Sequence, residues 1–495
     1  FCAPTPMTFI RRHEGALLLT LFALFLAVNL VTGARSPTVW TDEVAYADPA
    51  VNLVQNGTFT STAWEAQMGD EHWAGNVPLY QWLLSGWLSV FGVSITAVRA
   101  IGYVLAILGA AMLWVALRRL GWVQTPEARL LVALVILTGY GVTYGYRAGR
   151  PDMLGFVLLS VATWGWTLRP PLRYGTLALV GLALPWAGLQ FLPFAALALG
   201  VGLIAAPRPF LRAGAAGGSG GLAGAGLLYA YYQHHGVWGD FLVSITRHTA
   251  AEQGLAAKLT GLPALPLVDP SYAALLVGLA LLWMFKGGAR EAFRRPEVRY
   301  PVLLALLVPL ALFVTGKYPT YYTWMAYVPL VVGAGAWVSP LTWSRGSLAA
   351  AGLVVGTACL IGLPARVGVS ILQWDGRSYA PVRALVEEHV APSDTVFAWY
   401  EGYYAVKGRA AAVYLPKYLW RPVPAKTPQL QSVDKIVTPP RYAAPVARLL
   451  GDRWERLGRT QAGEQAVTQF LGRALAEPYD VAVYVRRDSS KAGDR

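Results

Sequence analysis

Three carboxylates stand close together just past the first long apolar run of the chain, in the segment TDEVAYADPA at 41–50. They are Asp42, Glu43 and Asp48, and they follow Trp40, a residue type that is common at membrane surfaces. A carboxylate in a partly desolvated cleft has a raised pKa and can act as a general base. A solvated surface position is the ordinary alternative for any one of them, so the segment predicts catalysis only together with other groups.

Cations follow in the segment YRAGRPDMLG at 146–155, which lies between two apolar runs and carries Arg147, Arg150 and Asp152. Two guanidinium groups can bind a phosphate through paired hydrogen bonds. The alternative is a structural ion pair between Asp152 and one of the two arginines. The segment is therefore a candidate phosphate site with Asp152 in a supporting position.

The segment GKYPTYYTW at 316–324 adds Lys317, Tyr321 and Tyr322, which would complete a cationic, aromatic pocket beside the carboxylates. The alternative is an aromatic belt at the membrane surface, with Lys317 as an anchor. Such a pocket suits transfer from an anionic lipid-linked donor. Cations hold the donor phosphate, a carboxylate deprotonates an acceptor hydroxyl, and the phosphate leaves as the hydroxyl attacks.

Metal and disulfide chemistry receive little support. Three histidines between 234 and 248 lack the HExxH or Cys/His spacing of zinc sites, so we predict no metal site. The two cysteines, Cys2 and Cys359, are too few for a disulfide framework.

The elements that must position these residues are membrane helices. Of the 495 residues, 55% are hydrophobic and only 14% are charged, whereas soluble domains have about 25% charged residues. Apolar runs of about 17–22 residues recur, and each can cross a hydrocarbon core of roughly 30 Å. We predict eleven spans, at 15–33, 97–117, 127–143, 151–167, 174–189, 190–206, 216–232, 271–286, 300–316, 320–338 and 347–364.

The charge distribution orients these spans. The net charge is +14, which in a soluble protein would suggest nucleic acid; here the basic residues fall in the connections that a cytoplasmic N-terminus would place inside. We therefore predict no nucleic-acid partner, a lipid bilayer around the spans, and long outer loops at 34–96 and 233–270. The RRHEG segment before the first span reads as an uncleaved signal anchor, with Met7 as a plausible start.

The chain changes composition near residue 365. We predict a transmembrane module over 1–365 and a soluble outer α/β domain over 366–495, with strands at TVFAWY, AAVYL, DKIVTPP and VAVYVRR and helices at YAPVRALVEEHV and YAAPVARLLGD. The fold class is thus a polytopic α-helical membrane protein with a C-terminal extracytoplasmic α/β domain. In the first outer loop, residues 77–92 are expected to lie along the membrane surface, with an oblique span as the alternative.

The segments TDEVAYADPAVNLVQNGTF, VPLYQWLLSGWLSVFGVSITAVR, YRAGRPDMLG and KYPTYYTWMAYVPL occur in this order. Over roughly residues 10–365 they resemble the GT-C integral-membrane glycosyltransferases of the protein mannosyltransferase and lipid A aminoarabinose transferase type. The resemblance implies a helical module with a C-terminal outer domain and polyprenyl-phosphate sugar donors. It also implies inversion at the anomeric carbon, and no required cofactor, although a divalent cation is possible.

The resemblance also implies roles for individual residues. Asp42 matches the catalytic base and Glu43 its neighbour. The donor phosphate would be bound by residues that match two later motifs, namely Arg147, Arg150, Lys317 and Tyr322, with Asp152 and Tyr321 in support.

One departure from the family pattern lies in the first outer loop. Relatives often read Glu-Lys-Pro-Pro-Leu where this chain has GNVPL, so that Gly75 and Asn76 replace an acid and a lysine. Glu71 and His72, just upstream, are the residues that could substitute for them.

These observations predict an inverting glycosyltransferase that moves a sugar from a polyprenyl-phosphate donor to a glycan, lipid or protein acceptor. Its site and C-terminal domain would lie on the outer face of a bacterial cytoplasmic membrane. The alternatives are a carrier of an anionic lipid and a non-catalytic subunit of a membrane assembly.

Overall fold

The computed structural model describes residues 6–64, 67, 69–249, 268–286, 289–314, 318–341, 345–416, 430–451, 454–460, 468–470 and 473–487. Its helices in chain order are α1 Pro6–Thr32, α2 Thr41–Asn56, α3 Leu79–Phe91, α4 Ile95–Leu120, α5 Pro126–Thr138, α6 Tyr140–Arg147, α7 Asp152–Gly165, α8 Pro170–Ala187, α9 Phe191–Ala205, α10 Pro207–His234, α11 Trp238–Thr249, α12 Pro270–Lys286, α13 Ala289–Arg294, α14 Pro296–Val314, α15 Trp324–Val338, α16 Arg345–Leu360, α17 Leu363–Leu372, α18 Ala380–His389, α19 Tyr403–Lys407 and α20 Pro440–Leu450. Short 3-10 turns occupy Gly33–Arg35, Thr320–Tyr322 and Tyr400–Gly402.

The long apolar helices are those of a membrane protein. In the described ranges, three helices are long and apolar enough to cross a membrane, at Phe9–Arg35, Ile95–Leu120 and Pro296–Phe313. The number rises to five if each of the bent pairs α5–α6 and α16–α17 forms one span, and four shorter apolar helices accompany them. The predicted total of eleven spans therefore stays a prediction.

Small residues bring two of the apolar helices into direct backbone contact. A Cβ atom on Gly220 of α10 would lie 2.0 Å from the carbonyl oxygen of Ala178 on α8, and one on Gly181 would lie 2.1 Å from the carbonyl oxygen of Gly217. Helices in lipid gain from such close approach because van der Waals contact replaces the hydrophobic driving force. The Gly-rich sequence of α10 therefore fixes α8 against it.

The predicted first outer loop contains α3, which spans 13 residues over Leu79–Phe91. At about 1.5 Å per residue, a helix of this length is shorter than a hydrocarbon core of roughly 30 Å. Its Val90 and Phe91 side chains are largely exposed. The position of α3 along the membrane surface stays a prediction.

The C-terminal region forms the predicted small α/β domain. Its strands are β1 Thr395–Ala398, β2 Ala412–Tyr414, β3 Lys435–Thr438, β4 Trp454–Arg459, β5 Thr468–Phe470, β6 Arg473–Ala476 and β7 Ala482–Arg486. The main sheet has the order β2-β1-β3-β7-β4; β1 runs parallel to β2 and β3, whereas β7 is antiparallel to β3 and β4. Sequence patterns indicated all of these main-sheet strands except β4, whose polar, exposed sequence WERLGR lacks the alternation of a buried strand.

Candidate active site

The site is built around α2, which begins nine residues after α1 ends. Asp42 and Glu43 lie in its first turn, where negative charge is favoured by the helix dipole. Pro49 lies inside the helix and cannot donate to the carbonyl oxygen of Ala45. The indole nitrogen of Trp64 donates to that oxygen at 3.0 Å, so the loop after α2 satisfies the carbonyl that the proline leaves unpaired.

A tight turn brings Arg150, one of the predicted cations, to Asp42. Gly149 has a φ of +61°, and a Cβ atom there would lie 2.7 Å from Cγ of Glu43, so both its conformation and the close approach require glycine. The turn delivers Arg150, whose Nη1 donates to Oδ2 of Asp42. The Asp42 side chain is 25% exposed and the Arg150 side chain only 1%. Asp42 is therefore the more exposed member of this pair.

A second carboxylate holds Arg150 from behind. Its Nε donates to Oδ2 of Asp152 at 2.8 Å, and Asp152 is fully buried. The Asp152 Oδ1 atom faces the indole nitrogen of Trp324 at 3.5 Å. The ion pair with Asp152, one of the two alternatives for this segment, is therefore present, and the same guanidinium also pairs with Asp42.

Aromatic rings enclose the same guanidinium. Its carbon lies 3.7 Å from the ring centre of Tyr321. The rings of Tyr46, Tyr322 and Trp40 lie 5.4, 5.7 and 5.8 Å from it. A cation in contact with an aromatic face is stabilised by the ring quadrupole. The predicted tyrosines Tyr321 and Tyr322 therefore lie at the site, as cation partners of Arg150.

Glu43 has a different place from its neighbour. Its carboxylate accepts two hydrogen bonds from Arg99 of α4, at 3.0 and 2.5 Å, and neither side chain is exposed. Arg99 also donates to the carbonyl oxygens of Gly33 and Pro37 at 2.5 and 2.8 Å. Glu43 therefore joins α2 to α4 and to the chain before it. Sequence reasoning missed Arg99 as its partner, although an arginine at the start of an apolar span is itself a signal that an acid lies nearby.

Arg147 also lies away from the Asp42 carboxylate. It is fully buried, and its Nη2 donates to the hydroxyl of Thr32 on α1. Within the described part of the chain, its Nε and Nη1 have no hydrogen-bond partner. The structure thus brings Arg150 to Asp42 and turns Arg147 towards α1. Lys317 lies outside the residues that the structure describes.

His72 packs against the C-terminal end of α10, and Glu71 lies near α11. The Nε2 atom of His72 is 2.6 Å from the hydroxyl of Tyr231, and its ring stacks on that of His235 with 3.6 Å between centres. Burial and the neighbouring His235 lower the pKa of His72 from 6.5 to about 4, so the ring is neutral at pH 7. Burial raises the pKa of Asp240 on α11, and the nearby Glu71 raises it further.

Gly75 and Asn76 both lie in close contact with aromatic residues. A Cβ atom on Gly75 would lie 2.1 Å from the indole ring of Trp64, the residue that caps the Ala45 carbonyl. Asn76 donates to the hydroxyl of Tyr46 at 3.0 Å, and Tyr46 is one of the rings around Arg150. Burial raises the pKa of that hydroxyl, so it remains protonated. Asn76 therefore reaches the site through Tyr46.

An apolar cavity of about 570 Å³ lies beside the site. Helix α7 starts at Asp152, and its Phe156, Ser160 and Thr163 side chains line the cavity. Trp324, which faces Asp152, lines it too. The residues that line the cavity carry no charge. In the described ranges, no three His, Cys, Asp or Glu side chains are grouped so that they could hold a metal ion.

Comparison with known proteins identifies the fold. No protein-family model matches the chain, and no curated protein does. A crystal structure of ArnT from Cupriavidus metallidurans bound to undecaprenyl phosphate matches with a TM-score of 0.59 and 14% sequence identity, over 95% of this chain and 98% of that chain. The apo structure of the same protein matches with a TM-score of 0.58 and 13% identity, over the same shares. ArnT, the lipid A aminoarabinose transferase, is a GT-C glycosyltransferase. The chain therefore has the GT-C fold, and the predicted fold resemblance is confirmed.

Glu43→Gln tests whether Glu43 is a structural residue. We expect the free energy of unfolding to fall by about 3–5 kcal/mol, because Arg99 becomes a buried cation without a carboxylate. Asp42→Asn is the matched control and should cost about 1 kcal/mol or less, since Arg150 keeps Asp152. Thermal unfolding of the purified proteins measures both. Equal losses of unfolding free energy in the two variants would contradict the structural role assigned to Glu43.

The stacked histidines predict a pH dependence of stability. The pKa of His72 is lowered in the folded state, so the unfolded chain binds more protons between pH 6.5 and about 4. The free energy of unfolding should therefore be unaffected by His72 above pH 6.5. It should fall as the pH drops below 6.5, by about 1–2 kcal/mol after allowance for the partial exposure of the ring. His72→Phe keeps the stacked ring and should reduce this loss. Unfolding curves of both proteins from pH 7.5 to 4.5 provide the measurement, and parallel curves would refute the assignment.

Proposed function

We propose that the protein is an inverting glycosyltransferase that moves a sugar from a polyprenyl-phosphate donor to an acceptor hydroxyl on the outer face of the cytoplasmic membrane. The observation that carries the proposal is an uncharged cavity close to a charged site: Phe156 and Trp324 line the cavity, and Trp324 also faces Asp152. Helix α7 passes from Asp152, behind Arg150, into the lining of the apolar cavity. A molecule with an apolar chain and an anionic head is the class of ligand that fits both parts.

The ArnT structure that shares this fold holds undecaprenyl phosphate, which supports a polyprenyl lipid as the ligand class. The isoprenoid chain would lie in the cavity and its phosphate near Arg150. The predicted cytoplasmic position of the basic connections supports a site on the opposite, outer face. The acceptor, a glycan, lipid or protein, would approach the exposed edge of Asp42.

The proposed reaction is a single displacement. The Asp42 carboxylate takes the proton of the acceptor hydroxyl, whose oxygen attacks the anomeric carbon. The bond between that carbon and the phosphate oxygen breaks, and polyprenyl phosphate leaves with the electron pair. Arg150 offsets the negative charge that the leaving phosphate gains, with Lys317 as the predicted second cation. One displacement inverts the anomeric configuration.

Asp42→Asn tests the proposed base. Removing a general base should lower turnover by about 10²–10⁴-fold while donor binding is kept. Release of polyprenyl phosphate from a panel of polyprenyl-phosphate sugars measures turnover, and the shift in melting temperature with each donor measures binding. Wild-type turnover in Asp42→Asn would exclude the mechanism. If no donor shifts the melting temperature of either protein, the carrier or assembly-subunit alternative replaces the enzyme.

A pair of glycines on α10 tests the cavity. Gly218 lines the cavity, and a Cβ atom on it would meet open space, as would one on Gly226 further along the same helix. Gly218→Phe should raise the KM for a long-chain donor by about tenfold, equivalent to about 1.4 kcal/mol, by occupying space that the lipid needs. Gly226→Phe is the control.

A donor with a short isoprenoid chain separates steric exclusion from general damage. The KM for this donor should change little in Gly218→Phe, because a short isoprenoid chain does not extend into the part of the cavity that the new phenyl ring occupies. An equal rise for both donors, or an equal rise in Gly226→Phe, would argue against the cavity as the lipid site.

A further inference from the structure

The carboxylates of α2 point in three directions. Successive residues of an α-helix are about 100° apart, so Asp42, Glu43 and Asp48 lie on three different sides of α2. Asp42 contacts the turn before α7, and Glu43 contacts α4. Asp48 is fully buried, and two of its partners come from the C-terminal α/β domain.

The contacts of Asp48 are close and complementary. The hydroxyl of Tyr403 donates to Oδ1 at 2.8 Å, and Nζ of Lys407 lies 3.2 Å from the same oxygen. The hydroxyl of Ser61, in the loop after α2, donates to Oδ2 at 2.6 Å. Tyr403 and Lys407 are four residues apart and therefore share one face of the short helix α19. Removing either would leave a buried carboxylate short of a partner.

Neighbouring residues of the same segment reach the rest of α2. Tyr404 donates to Oε1 of Glu43 at 3.3 Å, and Tyr400 lies beside Thr41 and Asp42 at the start of the helix. Trp40, the residue before α2, provides no side-chain cap of its own. The C-terminal domain thus contacts the first turn and the middle of the helix that carries Asp42.

We infer that residues 400–407 of the C-terminal domain are a positioning element for Asp42. They fix the rotation and depth of α2 through Asp48 and Glu43, and thereby the place of the Asp42 carboxylate beside Arg150. The inference rests on the proposed function, in which Asp42 is the base. Reacting groups displaced by about 1 Å can lose about 10²-fold in rate, so a small shift of α2 has a large effect.

The test uses the full-length protein with Tyr403→Phe and Lys407→Met as separate variants. Each leaves Asp48 with two of its three partners. We expect kcat to fall by about tenfold, with the KM for the donor within about twofold, because the base moves while the donor site remains. Lys407→Arg should recover at least half of the wild-type kcat. Tyr484→Phe is the matched control, because Tyr484 lies on β7, two strands away from β1 in the sheet.

Hydrogen exchange of the α2 amides provides a readout that does not depend on activity. In Tyr403→Phe and Lys407→Met it should be at least about tenfold faster than in wild type and in Tyr484→Phe, well below the melting temperature. Wild-type kcat and wild-type exchange in both variants would overturn the inference while the proposed function stands. If wild-type protein releases no polyprenyl phosphate from any donor, the proposed function fails, and exchange alone decides whether the segment holds α2.

Discussion

The structure depends on one electrostatic constraint: α2 carries three acids that are fully or partly buried, and each pairs with a different cation. Asp42 has Arg150, Glu43 has Arg99, and Asp48 has Lys407. Burying an unpaired carboxylate costs several kcal/mol, whereas a paired and hydrogen-bonded one is tolerated. The three partners come from the turn before α7, from α4 and from the C-terminal domain. The pairing of α2 therefore ties together parts of the chain that are far apart in sequence.

Arg150 extends this arrangement to the cavity. Its guanidinium is shared between Asp42 and Asp152, and rings that include Tyr321 cover it. Arginine suits this position because its planar group can hydrogen-bond at its edge and stack on its face at the same time. Asp152 starts α7, and Phe156, one helical turn further along, lines the apolar cavity.

Local sequence patterns predicted the membrane helices, the α/β tail and the GT-C fold, because hydrophobic periodicity and ordered motifs are properties of neighbouring residues. They also placed Asp42, Arg150, Asp152 and Tyr321 in one pocket, which the structure brings together. They could not assign Arg99 to Glu43 or Lys407 to Asp48, because those contacts span 56 and 359 residues of chain. Nor could they separate Arg147 from Arg150, since Gly149 between them reverses the direction of the chain.

The glycine at position 75 is required by the same packing. Pro49 leaves the Ala45 carbonyl unpaired, Trp64 satisfies it, and the indole of Trp64 then occupies the space that a side chain at 75 would need. Among the described side chains closest to Arg150, two carboxylates face one guanidinium, so this group carries a net negative charge before any phosphate arrives. A phosphate donor would add further negative charge to this group.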